Sequence, residues 1–238
     1  MIELKSFTKN YGKIKAVDNV SFTAPQKQVT GLVGLNGAGK TTILKAIAGI
    51  HFPDSGSILV NGISVEDNPV IVKSQVGFVS EQPNFIPDFR VLEFLKSELE
   101  IRRPELSKKE VDEELEKLVE STWIGDVLTK KIKELSKGYR QRLSFARALA
   151  GNPSVILLDE PASGLDPRQI VEMRNLVLSL ATEKTILIST HILQEIDALC
   201  NTIAVIHKGT LKAFGTEKEI CDFSGEKNME AAFLRLTE

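Results

Sequence analysis

The run Gly-Leu-Asn-Gly-Ala-Gly-Lys-Thr-Thr occupies Gly34 to Thr42. From Gly34 to Thr41 it fits G-x-x-x-x-G-K-[ST], a loop built to cradle phosphates. Glycines let backbone amides turn inward around phosphate oxygens that side chains would otherwise block. Leu35, Asn36, Gly37, Ala38 and Gly39 complete the cradle with Gly34 and Thr42. Lys40 brings a mobile cation for the outer phosphates of a nucleotide, and the Thr41 hydroxyl is an oxygen ligand for Mg2+. A second chemical pair, Asp159-Glu160, follows the apolar run Val155-Ile156-Leu157-Leu158. Carboxylates at the C-terminal end of a central strand stand where ligands bind in open α/β sheets. Asp159 would hold Mg2+ through its water shell, and Glu160 would polarise an attacking water at the terminal phosphate.

Such groups need rigid elements to aim them. Val29 to Val33 reads as a buried strand and Thr42 to Gly49 as a short apolar helix. Strand, glycine loop and helix together place a helix N-terminus against the phosphate. Ile2 to Leu4 and Val20 to Phe22 read as strands of an antiparallel sheet. Ile58 to Val60 enters an Asn-Gly turn, and Gly77 to Val79 is a further short strand. From Val91 to Val119 the chain turns rich in Glu, Lys and Leu, an amphipathic helical texture. Pro104 breaks it, and Ser107 with Glu110 predicts a capping box. The tryptophan at 123 is expected to pack within this helical segment. The α/β texture returns at Ser154, with a helix over Ile170 to Leu180 and a buried strand over Thr185 to Ser189. Strands alternating with helices predict a parallel sheet. The helical stretch of about 90–150 reads as inserted into one nucleotide-binding unit.

Composition narrows the partners. The chain has 238 residues, 42% of them hydrophobic, and a net charge of −2. That is enough apolar material for a sizeable core, and the charge balance argues against a broad nucleic-acid surface. Cys200 and Cys221 match no metal spacing, which suits a reducing, cytoplasmic setting. The N-terminal residues lack the apolar core of a signal peptide, and no apolar run approaches the ~18 residues needed to span a bilayer.

The segment Leu135-Ser136-Lys137-Gly138-Tyr139-Arg140-Gln141-Arg142 precedes an apolar helix over Leu143 to Ala150. Here the chain resembles the ATP-binding cassette (ABC) family, whose signature reads Leu-Ser-Gly-Gly-Gln. Leu135, Ser136 and Gly138 are kept, and Lys137 and Tyr139 depart from it. The resemblance implies that Ser136, Lys137, Gly138 and Tyr139 face the ATP held by a partner chain. Ser163-Gly164-Leu165-Asp166-Pro167 resembles the D-loop, which places Asp166 at the partner subunit. Ser189-Thr190-His191 resembles the switch motif, which implies that His191 contacts the terminal phosphate and positions the water of Glu160. Tyr11 resembles the aromatic that stacks on adenine. The family's Mg2+-proximal glutamine falls, counting from Gly77, on Glu81, with Gln82 next; the register favours Glu81. His51 and His207 match no motif and are read as structural or surface.

The resemblance covers nearly the whole chain. It implies an α/β fold: a P-loop NTPase core with a parallel sheet, an N-terminal antiparallel β subdomain and an inserted α-helical subdomain, all one domain over 1–238. It implies an ATP-hydrolysing subunit of a transporter, with ATP and Mg2+ bound between two such chains, identical or paired, arranged head to tail. Integral membrane permease subunits would be contacted near Glu81 to Glu93, on the cytoplasmic face of the membrane. The segment Gln82 to Phe94 resembles cassettes of ABC-2-type exporters, so export is the expected direction. Two rivals are a soluble ABC ATPase of DNA repair or translation, and a P-loop kinase. A kinase would have no use for the signature, the D-loop or His191.

Overall fold

The computed structural model describes residues 1–238. The chain opens with a hairpin of β1 (Ile2–Tyr11) and β2 (Ile14–Ala24), then passes through β3 (Val29–Val33) into α1 (Lys40–Ile47). β4 (Ser55–Val60) returns antiparallel to β1, and β5 (Ile63–Ser64) folds back on β4. Asn61 and Gly62 make that reversal with φ of 50° and 80°, the pair of positive angles that a two-residue hairpin turn of matching twist requires. These four strands form an antiparallel sheet in the order β2-β1-β4-β5.

Next come α2 (Pro69–Gln75), β6 (Val76–Val79), α3 (Val91–Arg102), α4 (Lys108–Thr122) and α5 (Lys137–Leu149). The remaining elements are β7 (Val155–Asp159), α6 (Pro167–Ala181), β8 (Thr185–Thr190), α7 (Leu193–Leu199), β9 (Thr202–His207), β10 (Thr210–Gly215), α8 (Glu217–Ser224) and α9 (Met229–Thr237). A second sheet runs β10-β9-β3-β8-β7-β6. Its five strands from β9 to β6 are parallel, and β10 closes one edge antiparallel. Every residue of β3, β7 and β8 is buried, as expected when layers cover both faces of a parallel sheet.

Side-chain alternation divides the core. On β7, Ile156 and Leu158 face one layer, while Val155 and Leu157 face the other; on β8, Ile186 and Ile188 oppose Leu187 in the same way. The first layer is helical. Leu95 and Leu99 of α3, Leu115 of α4 and Leu143 of α5 share one continuous core with Ile156, Leu158, Ile186 and Ile188. The second layer joins Ile43, Leu44 and Ile47 of α1 to Ile2, Leu4 and Phe7 of the antiparallel sheet. Each such buried aliphatic side chain contributes about 1.5–3 kcal/mol, so both layers hold the loops at the strand ends firmly.

Three elements differ from the expectation. The helix after the glycine loop begins at Lys40, because Gly39, at φ 107°, turns the chain straight into it. The helix expected over Leu143 to Ala150 begins at Lys137, where the Ser136 side chain caps it. Trp123 does not pack inside the helical segment; it is 46% exposed. At φ 49° it ends α4 in the left-handed conformation. That reversal sends Ile124, fully buried, into the core instead. The indole remains on the surface beside the Arg142 guanidinium, which also lies over the Tyr139 ring.

Candidate nucleotide site

β3 ends at Val33 and the chain turns at Gly34. A Cβ there would stand 2.3 Å from the Ile206 carbonyl oxygen of β9, so only glycine lets the loop leave the sheet at this point. Gly39 is equally constrained: a Cβ would meet Ala16 O at 2.6 Å, and its φ is that of glycine. The β1–β2 hairpin thus presses on the back of the loop. No side chain caps α1 and no acid lies in its first turn. Its first amides, which no helix satisfies internally, therefore also lack a side-chain cap, and their residues line a cleft of about 300 Å3. Asn36, Gly37, Ala38, Gly39, Lys40, Thr41 and Thr42 line that cleft with Ala16, Glu81 and Glu160.

Lys40 is 6% exposed. Its ammonium donates to Gly34 O at 2.7 Å and Leu35 O at 3.3 Å. It also stands 3.2 Å from Glu160 Oε1, an ion pair without the alignment of a hydrogen bond. A buried cation needs such company, because desolvation alone would expel it. Thr41 Oγ1 donates to Asp159 Oδ1 at 3.1 Å, and Ser189 Oγ donates to the same oxygen at 2.8 Å. The Glu160 amide donates to Ser189 Oγ and to Ser189 O, each at 3.1 Å. His191 Nδ1 donates to Glu160 Oε2 at 2.7 Å. Lys40, the strand-end acids Asp159 and Glu160, Ser189 and His191 thus form one contiguous chain of contacts.

Oxygen donors fit a hard divalent cation. The Thr41 hydroxyl and the Asp159 carboxylate meet at the edge of an amide-lined cradle, so the residues present suit a magnesium nucleotide. Thr41 and Asp159 would hold the metal, with Glu81 among the residues lining the same cleft. When bound, Mg2+ supplies charge neutralisation for the phosphates.

Glu81 lines the cleft and its Oε1 accepts from Ser163 Oγ at 3.3 Å. Gln82 does not line the cleft; it faces a neighbouring polar hollow with Lys137 and Arg140. Tyr11 is 43% exposed, set edge-on to His51, and lies outside the cleft lining. Ser136, Lys137, Gly138 and Tyr139 form the start of α5, with the Tyr139 amide on Ser136 Oγ at 3.4 Å. A Cβ on Gly138 would stand 2.6 Å from Gln169 Nε2. That Gln169 belongs to the capping box of α6, where Asp166 accepts from the Gln169 amide at 2.9 Å. The signature segment and the Asp166 loop are therefore packed together within one chain. His207 is buried at the end of β9 and is not among the residues lining the cleft.

Ser189, which the sequence marks only as the start of the Ser189-Thr190-His191 motif, pins both Asp159 and the Glu160 amide. The parallel register that sets Ser189 beside Asp159 comes from tertiary pairing, although both residues close buried strands.

Comparison with known proteins gives the family. Residues 17–163 match the family model described as ABC transporter. The Nod factor export ATP-binding protein I of Cupriavidus metallidurans is 35% identical over 224 residues, covering 93% of this chain and 73% of that protein. The bacitracin transport ATP-binding protein BcrA of Bacillus licheniformis is 36% identical over 213 residues, covering 89% of this chain and 68% of that one. Among solved structures, the dimeric post-hydrolysis state of the ATP-binding cassette MJ0796 bound to ADP and Pi superimposes with a TM-score of 0.82 at 27% identity, covering 91% of this chain and 98% of that one. The chain belongs to the ABC transporter family. Within it, the chain is an ATP-binding subunit with ATPase activity, built on the ABC cassette fold.

Proposed function

We propose that this chain drives export by closing head to tail with a second cassette on two ATP molecules. The observation that carries the reading is the contact chain from Lys40 through Glu160 to His191, closed around an uncapped helix N-terminus. In this reading the whole chain, 1–238, is one ATPase domain with its helical part inserted at about 90–150. Lys40 and the loop amides hold the phosphates. Glu160 takes the proton of the attacking water, and His191 holds the carboxylate toward the terminal phosphate. Tyr11 stacks on the adenine. Ser136, Lys137, Gly138 and Tyr139 present helix-start amides, a hydroxyl and a cation to the partner's ATP, and Asp166 lies at the same seam. Thr41, Asp159 and Glu81 surround the Mg2+ position, with Gln82 one residue removed.

Export rests on the relatives, one named for Nod factor export and one for bacitracin transport. No helix is long and apolar enough to cross a membrane, so the spanning is assigned to separate permease subunits, with this chain docked on their cytoplasmic side. Ile86 at 55% and Phe89 at 39% exposure supply unpartnered apolar surface in the segment Glu81 to Glu93. Two measurements test the reading. ATP hydrolysis by the purified chain should rise with protein concentration and need no phosphate acceptor. Affinity capture from native membranes should retain a polytopic permease in the wild type and lose it in Ile86→Asp. Capture of ribosomes or DNA instead would replace transport by a soluble role.

A further inference from the structure

The segment carrying His191 leaves β8 at Thr190 and enters α7 at Leu193. Four residues beyond His191, Glu195 is only 3% exposed. A buried carboxylate is costly unless its neighbours use it. Its Oε2 accepts from Thr190 Oγ1 at 2.6 Å, and the same hydroxyl oxygen accepts from the Ile192 amide at 3.0 Å. The two bonds span His191, binding the residue before it and the residue after it to one carboxylate. Glu195 Oε1 has no partner, and neither has Arg174 Nε, also buried. The Glu195 carboxylate makes no capping bond to α7 and no ion pair.

We propose that Glu195 is a positioning residue for His191: it holds the Thr190 hydroxyl, the hydroxyl holds the Ile192 amide, and the clip fixes the turn that sets the imidazole 2.7 Å from Glu160. The inference rests on the reading of His191 as the switch histidine. The geometry explains why an oxygen acceptor stands here. A carboxylate accepts strongly from the hydroxyl, which leaves the hydroxyl oxygen's lone pairs directed at the Ile192 amide. The charged and titratable groups facing it are Glu160 after β7, Arg174 of α6, His191 itself and Cys200 at the end of its own helix. Burial, and then the Glu160 charge, push the Glu195 carboxyl upward.

The test compares Glu195→Ala, Glu195→Gln, His191→Ala and the Glu195→Ala/His191→Ala double variant. The readouts are kcat, binding of a fluorescent ATP analogue and Tm. Misplacing a catalytic group by a fraction of an ångström costs roughly tenfold or more. Glu195→Ala should lower kcat by about that factor and leave analogue affinity near wild type. Glu195→Gln keeps an acceptor oxygen and should recover most of the loss. In the His191→Ala background, removing Glu195 should cost nothing further, since both act through one group. If His191→Ala hydrolyses ATP normally, the reading of the site fails. If His191→Ala is inactive but Glu195→Ala turns over like wild type, the clip alone is refuted. It is refuted equally if the Glu195→Ala loss persists in full in the double variant. Should Glu195→Ala not fold, Thr190→Val removes the same clip with the same expectations.

Discussion

Glu160→Gln keeps the shape of a side chain that touches both Lys40 and His191 but removes its basicity. The expected result is a kcat about a hundredfold lower or worse, with ATP binding retained; single-turnover hydrolysis checks it. Lys40→Ala deletes the cation of the cradle, and a charged hydrogen-bond donor of this kind is worth about 1.5–3 kcal/mol. Binding of a fluorescent ATP analogue should weaken accordingly. Glu195 carries a pH signature. Its carboxyl is raised in the folded chain, chiefly by burial. A raised carboxyl means that the folded state binds the proton more tightly than the unfolded state. The associated stability is therefore present at acid pH and lost as pH rises through the folded value. Glu195→Gln should raise Tm near neutrality, with the gain shrinking as pH falls toward the ordinary carboxylate range. A Tm difference that stays constant with pH would contradict this.

Helix starts show how separate elements share one kind of stabilisation and differ in function. Ser107 caps α4 and Asp166 caps α6, each within a capping box. Ser107→Ala and Asp166→Ala should each cost about 1 kcal/mol, or roughly 2–4 °C in Tm for a chain of this size. Only Asp166→Ala should also slow ATP turnover, because its loop carries the Ser163 bond to Glu81. Equal ATPase rates in the two variants would separate the Asp166 loop from the chemistry. The Ser107 box and the Asn61-Gly62 turn were legible because both are local: a few adjacent residue types determine the geometry. So was the glycine loop, whose chemistry is written in its own spacing. β9, β10, α8 and α9 gave the sequence reading no motif to hold. The buried run Ile203 to His207 acquires its meaning only by lying parallel to β3, a pairing across more than 170 residues. The Glu195 clip was hidden for a different reason. A Glu on a seven-residue helix reads as a solvated face until the fold buries it.

At the scale of the molecule, the cassette is half of the proposed working unit. Mixing two inactive chains tests this. Lys40→Ala removes one chain's phosphate loop, and Ser136→Arg blocks the other chain's signature. A mixed dimer retains one intact pair, the loop of the Ser136→Arg chain facing the signature of the Lys40→Ala chain. Partial ATPase activity on mixing, absent from either chain alone, is the expected result; no recovery would refute the head-to-tail arrangement. Ser136 suits this experiment because a side chain at 138 would first meet Gln169 of the same chain, whereas Ser136→Arg gives up only the α5 cap, at a cost of about 1 kcal/mol.

Glu160 sits at φ 47°, a backbone region that a residue of its size enters at a cost of about 1–3 kcal/mol. The two bonds from its amide to Ser189 hold it there. Glycine or asparagine would occupy that conformation with less strain. Either replacement would also strip the buried Lys40 of its carboxylate partner, a loss that outweighs the relief of backbone strain. A laboratory population screened for survival on heating alone would therefore keep the acid at position 160, so the backbone angle that serves turnover is protected by the charge it carries.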